Sequence, residues 1–356
     1  MQRLMFLGVL TVFFVAFSVP VMAADWNLYG SARMSTFYWD KNKNAGDDQA
    51  TDWDLQGNAR IGAMVNVSEA IDGRFEFAVT DETSAAKSVS TRLLYATYKF
   101  DGGTLLLGQS YTPLADMFYS NQVYGWIAGD TDLLGVGQIW DWRRPMIMLS
   151  MKGLQVALVE PTGVTDLGTG GDEDIIVPKL EVKYHYVKDN LFADIFGGYQ
   201  TYRICDIPNE SSQPVSAYTV GLGGGATFGK AYLKGGAYIA KNAGQFDLLH
   251  IVADDATFGS SKLTDNNLFG GLVVAGFKAT DKVDLQAGYG FVVSRMEEST
   301  SDKDTASSYY AQASIAVVPG FFIVPEIGVI DYGRSAAVDV PQGKNVYGGA
   351  KWQINF

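Results

Sequence analysis

The sequence has one cysteine and two histidines, the residue types that most often act as nucleophiles, general bases or metal ligands: Cys205, His185 and His250. The histidines are about 65 positions apart, and no serine-containing nucleophile elbow lies near either of them. The spacing of the three residues matches no metal-binding motif, and a single cysteine allows no intrachain disulfide. The sequence therefore predicts no enzyme, no metal site and no cofactor.

Acidic residues cluster at 47–48, 52–54 and 172–174, where they could bind a divalent cation. The clusters lack the spacing and central glycine of an EF-hand loop, so we expect solvated loops, with a dedicated calcium site as the alternative. The glycine run Gly221–Gly225 lies inside an alternating segment with no helix after it. It predicts a strand that curves or packs closely, not a phosphate-binding loop.

Residues 1–23 have the pattern of an export signal. Arg3 precedes an apolar run from Leu4 to Val19, and Val21-Met22-Ala23 offers a cleavage site before Ala24. A transmembrane anchor is the alternative, although the run is short for one. Loss of Arg3 would change the formal net charge from -12 to -13. This acidity argues against a nucleic-acid partner.

Alternation of apolar and polar residues predicts sixteen β-strands in residues 24–356, which no linker divides. They cover 26–39, 53–67, 73–81, 91–100, 104–110, 138–151, 154–161, 177–188, 191–202, 215–228, 231–241, 267–279, 282–294, 307–318, 321–333 and 345–356. Tight turns such as 152–153 alternate with long polar connections, namely 40–52, 162–176, 242–266 and 295–306. An even strand number with short turns on one rim and long loops on the other is typical of an outer-membrane barrel.

The two faces of these strands differ in polarity. Ile61, Ala63 and Val65 share one face of the second strand, whereas Arg60 and Asn66 share the other. A soluble sandwich also alternates, but the evenly spaced hairpins and the aromatic residues near strand ends favour a membrane barrel, which leaves no edge exposed to lipid. We predict an all-β fold: a transmembrane, antiparallel, up-and-down barrel with long external loops, short periplasmic turns and a water-filled lumen.

The connection 111–137 combines apolar residues, including Trp126, with three carboxylates: Asp116, Asp130 and Asp132. Apolar residues left in solvent would be unfavourable, so we predict that this loop folds inward and brings its carboxylates into the channel. Cations for the facing wall are available on the first four strands and directly after the loop: Arg33, Arg60, Arg74, Arg92, Arg143 and Arg144.

From residue 24 onward the chain resembles the general porins of Gram-negative outer membranes. The resemblance rests on the opening strand Trp26–Gly30, the sixteen strands and the terminal Phe356, an aromatic residue of the kind that the barrel-assembly machinery reads. The most local match is GTLLLGQSYTP, Gly103 to Pro113, which is similar to the fifth porin strand leading into the third loop.

The resemblance implies that loop 111–137 narrows the pore, with Asp116, Asp130 and Asp132 facing Arg33, Arg60 and Arg74. It also implies export through the periplasm to the outer membrane of a Gram-negative bacterium, contact with the lipid bilayer and lipopolysaccharide, and a homotrimer. The glycine-rich acidic segment of enterobacterial porin loops is absent here. Pore size and ion preference therefore do not carry over.

These observations predict a porin for passive diffusion of ions and small hydrophilic solutes. The alternatives are a selective channel for sugars, phosphate or another anion, and a non-conducting barrel that acts as an adhesin or structural protein. If the loop carboxylates and the negative net charge of the chain set the electrostatic potential at the channel entrance, cations pass more readily than anions.

Overall fold

The computed structural model describes residues 24–43, 46–83, 86–124, 136–162, 165–166, 172–175, 177–205, 212–246, 252, 255–258, 263–297, 303–335 and 340–356. The predicted export signal at 1–23 lies outside the described residues, as do Trp126, Asp130, Asp132 and His250. No helix in the described ranges is long and apolar enough to cross a membrane.

Sixteen strands of the described chain form one closed wall and are numbered here in chain order. Their bounds are Asp25–Lys43 (β1), Gly46–Leu55 with Arg60–Asn66 (β2), Ile71–Thr83 (β3), Ala86–Phe100 (β4), Gly103–Tyr111 (β5), Arg143–Met151 (β6), Leu154–Val159 (β7), Lys179–Lys188 (β8), Leu191–Cys205 (β9), Gln213–Phe228 (β10), Ala231–Lys241 (β11), Asn266–Thr280 (β12), Val283–Met296 (β13), Asp304–Val318 (β14), Phe321–Asp331 (β15) and Lys344–Asn355 (β16).

The wall closes because β1 pairs with β16, from Ser31 opposite Asn355 to Asn42 opposite Lys344. On its other edge β1 pairs with both segments of β2. Each remaining pair of neighbours is antiparallel. The predicted sixteen-stranded antiparallel barrel is confirmed.

The two rims of the barrel differ in their connections. One rim has short turns at 67–70, 101–102, 152–153, 189–190, 229–230, 281–282 and 319–320. The other rim has longer connections, which include the 3-10 turn Ala243–Phe246 and the short strands Thr165–Asp166, Asp172–Asp174, Ala256–Phe258, Leu263–Thr264, Arg334–Ser335 and Val340–Pro341. The predicted separation of short and long connections is present, with two exceptions on the second rim, between β1 and β2 and between β3 and β4.

The prediction of a long polar loop at 40–52 is wrong. β1 continues to Lys43 and β2 starts at Gly46, so this segment is a paired hairpin. Its sequence is polar on both strand faces, which removes the alternation that marks a half-buried strand. Only the pairing between the two backbones identifies it. The predicted strand 138–151 likewise begins at Arg143, and residues 136–142 belong to the preceding loop.

Pro145 and Pro325 lack a backbone N–H donor, so the sequence predicts a bulge or a frayed strand end at each of them. Pro145 is the third residue of β6, close to its start. Pro325 lies inside β15, opposite Ala350 of β16. The other neighbour of β15 is β14, where Gln312 is opposite Glu326 and Ile315 is opposite Ile323. The register is the same at both pairs, so β15 has no bulge between them. Pro325 lies in this interval, where the two strands are not paired.

The hydrophobic core lies inside the barrel. Leu114, Met117 and Tyr119, from the loop between β5 and β6, pack with inward-facing wall residues such as Phe196 and Tyr238. In contrast, outward-facing side chains are apolar and exposed, as a lipid-facing wall requires; Leu107, Ile195 and Ile327 are each more than half exposed.

Candidate pore-lining site

The loop between β5 and β6, residues 112–142, starts and ends at the same part of the wall. Thr112 Oγ1 donates to the carbonyl oxygen of Asp141 at 3.2 Å, which joins the two ends of the loop. The Thr112 carbonyl oxygen accepts the N–H groups of Ala115 and Asp116, both at 3.0 Å, so the chain turns immediately after β5.

Beyond this turn the loop follows the inner wall through a series of side-chain hydrogen bonds. Tyr119 donates to Asp194 of β9 at 2.7 Å. Burial raises the pKa of Tyr119, and Asp194 raises it further, so the hydroxyl remains protonated and can donate. The Asn121 N–H reaches Gln286 of β13 at 3.1 Å. The described part of the loop thus crosses from β9 to β13.

The far end of the described segment is held by one carboxylate. Glu326 of β15 accepts the N–H groups of Val123 at 2.7 Å and Tyr124 at 2.9 Å. The ring of Tyr124 stacks on Tyr347 of β16, with ring centroids 4.2 Å apart, and contacts Phe37 of β1 at 5.2 Å. The described start of the loop therefore follows the inner wall from β9 to β16 and reaches β1.

Glycines on the inner face make room for the loop. A Cβ at Gly223 would overlap the Tyr119 hydroxyl, and one at Gly290 would overlap the carbonyl oxygen of Val136. Gly137 has a positive φ of 90°, a conformation that favours glycine. Gly223 belongs to the run that the sequence predicted to pack closely or curve.

Arginines gather on the part of the wall formed by β2, β3 and β4. Arg92 Nε is 2.7 Å, Arg74 Nη2 3.1 Å and Arg60 Nη1 3.4 Å from the carboxylate of Glu76. Tyr29 of β1 also donates to this carboxylate at 2.8 Å. Three cations share one fully buried anion, so the cluster carries more positive than negative charge. Arg60 and Arg74, predicted to lie on the same face, are brought together here.

The other predicted site residues lie elsewhere. Arg33 Nε donates to Ser31 Oγ at 2.9 Å on the inner face of β1. Asp116 forms an ion pair with Lys183 of β8, with 3.0 Å between Oδ2 and Nζ, and its side chain is 46% exposed. Asp116 and Lys183 line a cavity of about 600 Å³. Asp130 and Asp132 are outside the described residues.

The remaining predicted cations flank the loop. Arg144 is 2.6 Å from Asp141, which ties the start of β6 to the end of the loop. Arg143 lies over the rings of Tyr111 and Trp142, with its guanidinium carbon 5.6 Å and 5.8 Å from the centroids.

Sequence reasoning missed several residues of this site. Glu76 lies two positions after Arg74, so the same alternation directs both side chains inward. The sequence pattern was therefore sufficient to place Glu76 on the inner face. Glu326 had no such signal, because its partners are 203 and 202 positions away.

The ionisable groups of the site form pairs and hydrogen bonds that hold the loop. His185 Nδ1 lies 2.7 Å from Asp194 Oδ1. In the part of the chain that the structure describes, no three His, Cys, Asp or Glu residues are grouped so as to hold a metal ion. Charged groups of both signs thus face the inside of the barrel.

No protein-family model and no curated protein matches this sequence. The outer membrane channel DcaP of Acinetobacter baumannii has a similar structure, with a TM-score of 0.77 and 15% identity over 94% of this chain and 97% of DcaP. The chain has the fold of Gram-negative outer-membrane porins.

Two further porin-fold structures support this. The trimer form of Vibrio cholerae OmpT aligns with a TM-score of 0.62 and 16% identity, over 94% of this chain and 100% of OmpT. The anion-selective porin from Comamonas acidovorans aligns with a TM-score of 0.60 and 11% identity, over 94% of this chain and 100% of that porin. At such identities the likeness concerns the fold.

Proposed function

We propose that this protein is a non-enzymatic outer-membrane channel through which ions and small hydrophilic solutes diffuse passively. The closed barrel carries the proposal, because its wall is apolar outside while its inner face presents Arg74, Lys183 and other charged groups. A closed sheet satisfies every backbone group within lipid, and charged residues inside it require water.

The test of this function is conductance in a planar bilayer. The refolded protein should insert and give stepwise, ohmic currents in potassium chloride. A barrel that acts only as an adhesin or structural protein would give none. Saturation of the current by a sugar or phosphate, with block by a competitor, would support the selective channel instead.

We propose further that loop 111–137 forms the constriction, with Asp116, Asp130 and Asp132 on the loop and Arg33, Arg60 and Arg74 on the facing wall. The described ends of the loop support this because they contact β8 to β16 and reach β1 at Phe37, whereas Arg60 and Arg74 come from β2 and β3. Replacing the three aspartates by asparagine should shift selectivity towards anions while the barrel remains folded. Deleting residues in the middle of the loop should raise the conductance, and an unchanged conductance would contradict the proposal.

The arginine cluster supports a channel that conducts anions in preference to cations. Arg60, Arg74 and Arg92 exceed the single negative charge of Glu76, and Asp116 is already paired with Lys183. A narrow passage with excess positive charge attracts anions and excludes cations. This proposal differs from the cation preference expected from the sequence. The sign of the reversal potential in a salt gradient decides between them.

We also propose the cellular context that the sequence implies. The chain would be exported through the periplasm and assembled into the outer membrane of a Gram-negative bacterium by the barrel-assembly machinery, which would read Phe356. In the folded chain the Phe356 carbonyl oxygen accepts the Gly30 N–H at 2.7 Å, so this residue also joins the last strand to the first. The barrel would contact lipid and lipopolysaccharide and form a homotrimer. Cross-linking the protein in its membrane, followed by gel electrophoresis with and without heating, tests whether it forms a trimer.

A further inference from the structure

A buried ionic cluster lies where the two ends of the β5–β6 loop meet the wall. Lys179 of β8 has no exposed surface, and its Nζ pairs with Asp141 and lies 3.9 Å from Glu181 Oε1. Asp141 also pairs with Arg144, and Glu181 accepts the Leu114 N–H at 3.0 Å. These contacts together fix both ends of the loop to β8.

A second loop meets the same cluster. The 3-10 turn Ala243–Phe246 belongs to the connection between β11 and β12, which the sequence predicted to be a long polar loop, yet all four of its residues are buried. The carbonyl oxygen of Gln245 accepts a hydrogen bond from Lys179 Nζ at 2.8 Å. The same ammonium lies 5.4 Å from the centroid of the Phe246 ring. Lys179 therefore contacts the turn and the β5–β6 loop at once.

Packing joins the two loops at one point of the wall. Phe246 and Leu114 belong to the same buried cluster, and both lie over Gly198 of β9. A Cβ at Gly198 would be 2.5 Å from Phe246 Cε1 and 3.0 Å from Leu114 Cδ1. The absence of a side chain at Gly198 is thus what allows the turn and the loop to rest on the wall together.

We propose that the Ala243–Phe246 turn is a second element of the constriction. It clamps the β5–β6 loop against β8 and β9, and Lys179 is the positioning residue that links the two loops. The inference rests on the proposed channel function. Because Phe246 of the turn packs with Leu114, a displacement of the turn moves the start of the β5–β6 loop.

The first test compares Gly198→Ala with Gly197→Ala. The added methyl group at Gly198 pushes Phe246 and Leu114 away from the wall without changing a charge. Gly197 is the next residue, on the outer face, and its Cβ would meet no atom closer than 3.1 Å. In single-channel recordings, Gly198→Ala should make spontaneous changes of conductance level about tenfold more frequent, as expected for the loss of one well-packed contact. Gly197→Ala should behave as the native protein does.

A second pair of variants tests the clamp directly. Phe246→Ala should increase the frequency of these current steps as Gly198→Ala does, and the conservative Phe246→Leu should restore part of the native behaviour. The outward-facing Phe228→Ala serves as the control. Gel mobility with and without heating shows whether each barrel has folded.

Two failures are distinguishable in these recordings. If the native protein gives no channels, the proposed function is wrong. If it conducts, and folded Gly198→Ala and Phe246→Ala proteins show native conductance and step frequency, the clamp is wrong while the channel function stands.

Discussion

Replacing Glu326 by glutamine should release the far end of the β5–β6 loop. The two carboxylate oxygens accept the N–H groups of Val123 and Tyr124, and the Tyr347 hydroxyl donates to one of them at 3.1 Å. Glutamine has nearly the same shape but only one oxygen acceptor. One backbone N–H would then face an amide NH₂ group and lose its partner.

The size of the effect follows from burial. Glu326 is 2% exposed and Val123 is also 2% exposed, so little water can replace the lost acceptor. A buried donor without a partner costs about 1–3 kcal/mol. A value of about 2 kcal/mol would change the ratio of attached to detached loop by a factor of about 30. The wall itself should remain stable, because its ladders are made by backbone groups.

Single-channel recording is the assay. Glu326→Gln should increase the fraction of time spent at other conductance levels by about 30-fold, as the free-energy estimate implies. Glu69→Gln, at an exposed position in the turn between β2 and β3, controls for loss of a negative charge. If the Glu326 variant is folded and its current is as steady as that of the native protein, the carboxylate does not hold the loop.

Three further outcomes are expected. Arg74→Gln should shift the reversal potential towards cations, because it removes positive charge that Glu76 does not balance; an unchanged potential would count against the arginine wall. Gly223→Ala should alter the conductance by displacing Tyr119, whereas Gly348→Ala should not, since its Cβ on the outer face would meet its nearest neighbour at 3.4 Å. Asp116→Asn should shift the potential towards anions but change the free energy of unfolding by less than about 1 kcal/mol, because the lost ion pair is partly exposed. A larger loss in thermal unfolding would contradict this.

The sequence alone determined the barrel. A strand that is apolar on one face and polar on the other has a two-residue period, which is a local property and can be read without knowledge of any partner. The same property placed Arg60 and Arg74 on the inner face. It failed at 40–52, where both faces are polar, and at 138–142, where Ile139 and Trp140 pack against the inner wall and the loop without forming a strand.

The tertiary structure decided which groups meet inside the lumen. Glu326 and Val123 are 203 positions apart, Lys179 and Gln245 are 66 apart, and their contacts depend on closure of the wall and on the register of every strand between them. Alternation gives the direction of a side chain but not its height in the barrel or the residue across the lumen. For this reason the inward direction of the arginines could be predicted, whereas the pairing of Asp116 with Lys183 and the clamp at Gly198 required the closed fold.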